Sequence, residues 1–314
     1  MRQLFVCFYS VLFFAACGPP KSNRLPVPTQ PFITVLGIAQ DAGYPQAGCN
    51  KTCCAAYWSG IRPKAMVASL GIVDPVSGQK WLIDCTPSFP EQWYRMEMLL
   101  PEKTWSGIFL THAHMGHYAG LLHLGREAMN AQKMPVFCDS VFARFLETNG
   151  PFSQLVKLEN IVLHPIMPDQ TLTLNERISI TPFTVPHRDE FSPTFGYRIS
   201  SAGKKIIFIP DIDKWEKWDS DIVQWVKEND LLFLDGTFFR EGEIPGRNMS
   251  EIPHPFVSET MQLMAKLPPE EKQKIHFIHF NHTNPLIFPD SPETEEIKKA
   301  CFNCAREGMM FELN

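Results

Sequence analysis

The chain has 314 residues, 44% of them hydrophobic, with 34 acidic against 29 basic side chains and a net charge of −5. That is ample material for one large core or two small ones. With no basic run along the chain, nucleic acid is excluded as a partner on electrostatic grounds.

The N-terminus reads as an export signal. Arg2 is a short basic start, residues 4–16 are an apolar run too short to cross a bilayer, and Phe14-Ala-Ala-Cys17 ends in small residues before a cysteine. This resembles a bacterial lipoprotein signal, which implies removal of residues 1–16 and an acylated Cys17 holding the protein on a membrane, on the periplasmic or outer side. Phe14 stands where leucine is usual, so a plain secretory signal or an uncleaved anchor is the alternative. Residues 17–31, with prolines from Pro19 to Pro31, read as a tether. Residues 32–314 then form the folded domain.

Within that domain residues 32–38, 65–73 and 80–83 are strand-like, and Ser88 is placed to cap a helix through 98. Residues 107–110 make a short buried strand, followed by a helix over 118–130. Next come a strand at 135–138, a helix at 140–148, and strands near Ile161, at 178–185, 194–199 and 205–209. A helix at 218–227, a strand at 231–234, a helix at 256–266, a strand at 275–280 and a helix at 294–306 complete the chain. Trp215, Trp218 and Trp225 recur at helical spacing and read as core and surface.

Phe109 opens the stretch Phe-Leu-Thr-His-Ala-His-Met-Gly-His-Tyr-Ala-Gly, which sets His112, His114 and His117 within six positions of one another just after a strand ends. Neutral imidazole is the commonest nitrogen ligand for zinc and suits iron too, so this cluster reads as a metal site. Four further strands end on ligand-type residues: Asp84, His187, Asp211 and His279. One edge of a sheet sandwich would present them all to a common point.

The order Asp84, His112, His114, His117, His187, Asp211, His279 resembles that of the metallo-β-lactamase-fold hydrolases. The resemblance implies an α/β fold, an αββα sandwich with one or two divalent ions at its edge, zinc first, with iron or manganese as alternatives. It places His112, His114 and His187 on the first ion, His117 and His279 on the second, and Asp211 between them. Asp84 would orient a ligand imidazole through its free N–H. The family's usual aspartate is Gly116 here, so the second ion keeps only His117, His279 and the shared Asp211 unless Asp41, otherwise a turn residue, supplies the missing carboxylate. Asp235 either assists proton transfer or caps a turn, and the stretch 236–255, with Arg240, Arg247 and His254, is long enough to flank a pocket.

Segments 35–46, 186–190, 196–198, 210–215, 234–238 and 279–285 are similar to the coenzyme PQQ biosynthesis protein B family. That family typically lacks the first two histidines of the loop and keeps the aspartate, the reverse of what stands here. A similar layout occurs in the cyclic phosphodiesterase of the carbon–phosphorus lyase pathway, which holds a structural zinc on three cysteines and a histidine. Cys49, Cys53, Cys54 and His282 supply those ligand types, although the adjacent Cys53-Cys54 pair departs from its spacing. Cys301 and Cys304, three apart in the last expected helix, share a face there and pack it, replace a ligand, or form a thiol pair. His123, His164 and His276 match no pattern and read as structural.

These features support a hydrolase that acts on a small ester, lactone or phosphodiester through metal-bound hydroxide. The alternatives are an iron-dependent oxidation in quinone-cofactor or peptide modification, and a non-catalytic metal-binding surface lipoprotein.

Overall fold

In the computed structural model, which describes residues 27–314, side-chain alternation along the first strands decides the layering. Ile33 and Val35 of β1 (Phe32–Gly37) join the core between two sheets, whereas Phe32 and Leu36 pack beneath helices. Successive side chains on a strand point to opposite faces, so a strand apolar on both is covered on both. The same split recurs in β3 (Gln79–Ile83), where Trp81 and Ile83 face inward and Leu82 outward.

The first sheet continues with β2 (Ser69–Asp74), β4 (Thr104–Phe109), β5 (Met134–Asp139) and β6 (Ile161–Ile166). The second contains β7 (Leu172–Thr173), β8 (Ser179–Val185), β9 (Thr194–Ser200), β10 (Lys205–Ile209), β11 (Leu231–Asp235), β12 (Ile275–Ile278) and β13 (Asn303–Cys304). β14 (Met310–Glu312) returns to the first sheet, beside β1. Helices Phe89–Leu99, Ser140–Thr148 and Phe152–Lys157 cover the outer face of the first sheet, and Ile222–Glu228 and Val257–Leu263 pack against the second. This is the αββα sandwich that the resemblance implied.

Strand direction positions the site. β3 through β6 are mutually parallel, and β1 runs with them because β1 and β3 are both antiparallel to β2. In the second sheet β10 to β13 are parallel, and β8 joins them through β9. Each sheet therefore gathers the ends of its functional strands along one edge, where residues from both sheets meet.

Several local expectations change. The helix expected over 118–130 is only Met115–Tyr118, continued by a 3₁₀ turn at Ala119–Leu124. Ser88 precedes helix Phe89–Leu99 but does not cap it; its hydroxyl accepts the Val67 N–H instead. The last helix stops at Lys299. Cys301 follows in a left-handed conformation (φ 67°) and Cys304 lies in β13, so the two do not share a helix face and neither joins a metal-holding group among the described residues. Helices Thr52–Trp58 and Phe152–Lys157 were not anticipated. Cys17, the signal and most of the tether lie outside the described residues. No described helix is long and apolar enough to cross a membrane.

A carboxylate ties the far end of the sandwich together. Asp74 is fully buried and accepts from Asn175 Nδ2 at 2.8 Å, Arg177 Nε at 3.0 Å and the Val76 N–H at 2.9 Å. Burial pushes its carboxyl up, but the hydrogen bonds from Ser77 and Arg177 more than offset this and hold it below its ordinary value. A lowered folded-state value gives stability that is present above the unfolded pKa of about 3.9 and is lost as pH falls through the folded one. Asp74→Asn should therefore cost roughly 2 kcal/mol at pH 7. Urea denaturation of both proteins should show that gap narrowing towards pH 3, and a gap independent of pH would contradict the assignment.

Candidate metal centre

Hydrogen bonds from the strand ends fix each imidazole. Asp84, at φ 65° immediately after β3, is fully buried and accepts the Thr111 N–H at 2.8 Å and its hydroxyl at 3.0 Å. It also takes His117 Nδ1–H at 2.7 Å, which leaves His117 Nε2 as a free lone pair. Because the Thr111 hydroxyl gives its only proton to Asp84, it accepts from His112 Nδ1 at 3.0 Å and leaves His112 Nε2 as the ring's lone pair, 2.9 Å from His114 Nδ1. Thr237 repeats the device: it donates to Asp235 at 2.7 Å and accepts from His279 Nδ1 at 2.9 Å. His114 is turned the other way, with Nε2–H donated to Glu190 at 2.8 Å and Nδ1 facing inward. Such partners set the tautomer and the aim of a ligand ring.

The freed atoms converge on Asp211, at the end of β10. Its Oδ2 lies 3.3 Å from His112 Nε2, 3.6 Å from His117 Nε2 and 3.7 Å from His279 Nε2, while Oδ1 lies 3.3 Å from His187 Nε2. Two four-donor groups result, His112-His114-His187-Asp211 and Asp41-His117-Asp211-His279, each with ligand atoms within 4.8 Å of one another. Tetrahedral ligands about 2.1 Å from an ion stand roughly 3.4 Å apart, as found here. Asp41 Oδ1, Asp211 Oδ1 and the Nε2 atoms of His117, His187 and His279 are buried without a well-aligned hydrogen bond. Buried polar atoms are rarely left so, and their convergence fits divalent metal binding.

In the second group burial opposes a charge on His117, yet Asp84, Asp211 and Asp41 outweigh it and raise the ring well above its ordinary value, so His117 gives up a proton when an ion binds; the first group differs. Burial lowers His187 to about 4 and takes His112 well below the imidazole range, so both rings are neutral and ready to ligate. Burial pushes Asp211 up, but His187, His279 and His254 outweigh it and hold the carboxylate well below its ordinary value.

The missing aspartate is explained by space. A Cβ on Gly116 would overlap Asp41, meeting both its Cα and Oδ1 well inside 3.0 Å. Asp41, in the loop after β1, fills the position with its Oδ1 3.1 Å from His117 Nε2 and 3.6 Å from His279 Nε2. Gly116→Asp should therefore displace Asp41 and lower occupancy of the second site rather than raise it. Metal analysis of the variant checks this, and a gain in bound metal would contradict it.

Beyond the expected set, His254 enters the centre from the long connection. Its Nδ1 lies 2.8 Å from Asp235 Oδ2 and 3.2 Å from Asp211 Oδ1; burial opposes its charge, yet these two carboxylates raise it to about 9. Asp235 is fully buried and also accepts the N–H groups of Ile212 and Thr237. Glu190, Thr111 and Thr237 were not singled out from the sequence either, since each owes its role to at least one hydrogen bond with a side chain distant in the chain.

Far from His282 along the chain, a second cluster forms on helix Thr52–Trp58 and the loop before it. Cys53 Sγ and Cys54 Sγ lie 3.5 and 3.3 Å from His282 Nδ1, and Cys49 Sγ is 3.5 Å from Cys53 Sγ, all three thiols free. His123 stacks on Phe89 and His276 packs against Phe233 and Phe311, both away from either cluster.

A family described as "Beta-lactamase superfamily domain" matches residues 79–277, well over half of the chain. Coenzyme PQQ synthesis protein B of Klebsiella pneumoniae (strain 342) is 27% identical, with 90% of this chain and 98% of that protein aligned. The fold is shared with zinc-bound PqqB from Methylobacterium extorquens, at a TM-score of 0.75 and 20% identity over 90% of this chain and all of that one. A diphosphatase of the PhnP family matches with a TM-score of 0.65 and 21% identity, over 90% of this chain and 96% of its own.

Proposed function

This chain belongs to the β-lactamase superfamily, and from that premise we propose that it is a metal-dependent hydrolase of a small ester, lactone or phosphodiester. The observation that carries the reading is the pair of four-donor groups sharing Asp211. Divalent ions held there would supply Lewis acidity and a bound water with its pKa lowered to about 7. The chain's own residues do the rest. Thr111, Thr237, Asp84 and Glu190 hold the ligand rings in one tautomer, so the site is organised before substrate arrives. His254, held by Asp235, carries a proton beside Asp211 and delivers it to the departing oxygen. Asp235 thus serves as a positioning residue.

Metal analysis of the purified protein, followed by assays on 4-nitrophenyl acetate, dihydrocoumarin and bis(4-nitrophenyl) phosphate, tests this reading. Bound divalent metal with turnover of one class supports it, and metal without turnover of any of the three removes it. The second reading, an iron-dependent oxidation, is favoured by the 27% identity to coenzyme PQQ synthesis protein B over most of the chain. Oxygen consumption by the iron-loaded protein separates the two. Export and anchoring through Cys17 belong to the same proposal, and mass measurement of the mature N-terminus tests them.

A further inference from the structure

A cavity of about 740 Å³, a size suited to a small organic ligand, lies one layer of side chains away from the metal centre, whose donors do not themselves line it. Its inner wall is tied to the metal centre at two points. Asn281, two residues beyond His279, donates to Gln40 Oε1 at 2.6 Å, and Gln40 directly precedes Asp41. Phe238 meets the His254 ring edge-on at 6.1 Å. Phe238, Ile252 and Phe288 give the cavity an apolar lining. Two cations, Lys51 and Arg247, stand at its exposed side.

Among the described residues neither cation has a carboxylate in salt-bridge range, whereas Arg62, over the Phe288 ring at 4.7 Å, is paired to Asp290 at 2.7 Å. The one carboxylate in the lining, Glu243, is already engaged by the N–H groups of Phe239 and Arg240 and by the Thr283 hydroxyl. Burial also pushes it up to about 7, so it carries only part of a charge at neutral pH. A cavity with an apolar body, two unpaired cations and a muted carboxylate selects an anion.

We propose that this cavity seats the non-reacting part of the substrate, an organic anion with an apolar body whose carboxylate or phosphate faces Lys51 and Arg247. The assignment rests on the hydrolase reading for the scissile bond, but the binding site itself can be tested alone. Calorimetry on the metal-loaded protein compares 1-naphthylacetate with the neutral 1-naphthylacetamide, and 1-naphthyl phosphate serves as the second anion. The carboxylate should bind about fivefold more tightly than the amide or better, as expected for a charge contact near the surface. In the double variant Lys51→Gln/Arg247→Gln that advantage should vanish, and Lys51→Arg should retain it. Whichever anion loses more in the double variant identifies the preferred group.

Equal binding of acid and amide overturns the proposal, as does an anion preference that survives in the double variant, which would place the anion on the metals. Zinc content is measured on each variant, because Lys51 also neighbours the cysteine cluster; loss of preference only where zinc is lost counts against the site. In the kinetic arm, the ratio of kcat/KM for 4-nitrophenyl succinate over 4-nitrophenyl butyrate should fall in the double variant. An anion site without turnover of any ester, lactone or phosphodiester would overturn the hydrolase reading and, with it, the assignment of the anion as substrate. Turnover without anion preference would overturn the cavity assignment alone.

Discussion

Asp211→Ala should empty both metal positions at once, whereas His187→Ala should weaken only the first. The difference follows from sharing: Asp211 stands in both four-donor groups and His187 in one. Removing one of four ligands should exceed the roughly 10 to 100-fold loss typical of an outer partner, so both variants are expected to be inactive beyond that range. Elemental analysis should find the larger loss in Asp211→Ala, and circular dichroism should show the fold retained in both. An Asp211→Ala protein that keeps its full metal content would remove the shared carboxylate from the scheme. Unchanged metal in His187→Ala would do the same for the first position, and His112→Ala should behave like His187→Ala because it stands in the same group.

Cys53→Ser should lower the melting temperature and release one zinc while the histidine-rich centre keeps its metal. A tetrahedral zinc with sulfur ligands at about 2.3 Å places those sulfurs roughly 3.8 Å apart, close to the 3.5 Å between Cys49 and Cys53 and far from a covalent bond. Such a closed site contributes directly to folding, since the unfolded chain does not hold it together. Here it would pin helix Thr52–Trp58 against the loop after β12, beside the proposed anion cavity. Mass spectrometry without reductant gives the decisive contrast: loss of two hydrogens per cysteine pair, with no cysteine-bound metal, would show a disulfide instead.

Much of this centre was legible before any fold was known. His112, His114 and His117 are crowded into one strand-end loop, and Asp84, His187, Asp211 and His279 each terminate an apolar run. Strand ends are local features, set by where hydrophobic periodicity stops, and parallel strands carry their ends to a common edge. The cysteine cluster was legible for another reason: three thiols within six positions leave few chemical uses other than a metal.

What only tertiary structure decided are contacts between residues far apart in the chain. Asp41 fills the place vacated at Gly116 because the loop after β1 crosses the histidine loop with no room for a Cβ between them. The sequence offered Asp41 only as an alternative to a turn residue, and nothing local shows that a side chain at position 116 would collide with it. His254 reaches the centre from an irregular connection that has no period to read, and it is held there by Asp235 from a neighbouring strand end. Cys301 and Cys304 were misplaced for the converse reason, since the helix stops at Lys299 and the chain leaves it to pair β13 with β12. Local pattern thus determines which residues can ligate and roughly where each strand ends, whereas packing across the sandwich determines which of them meet, because hydrophobic burial is indifferent to sequence separation.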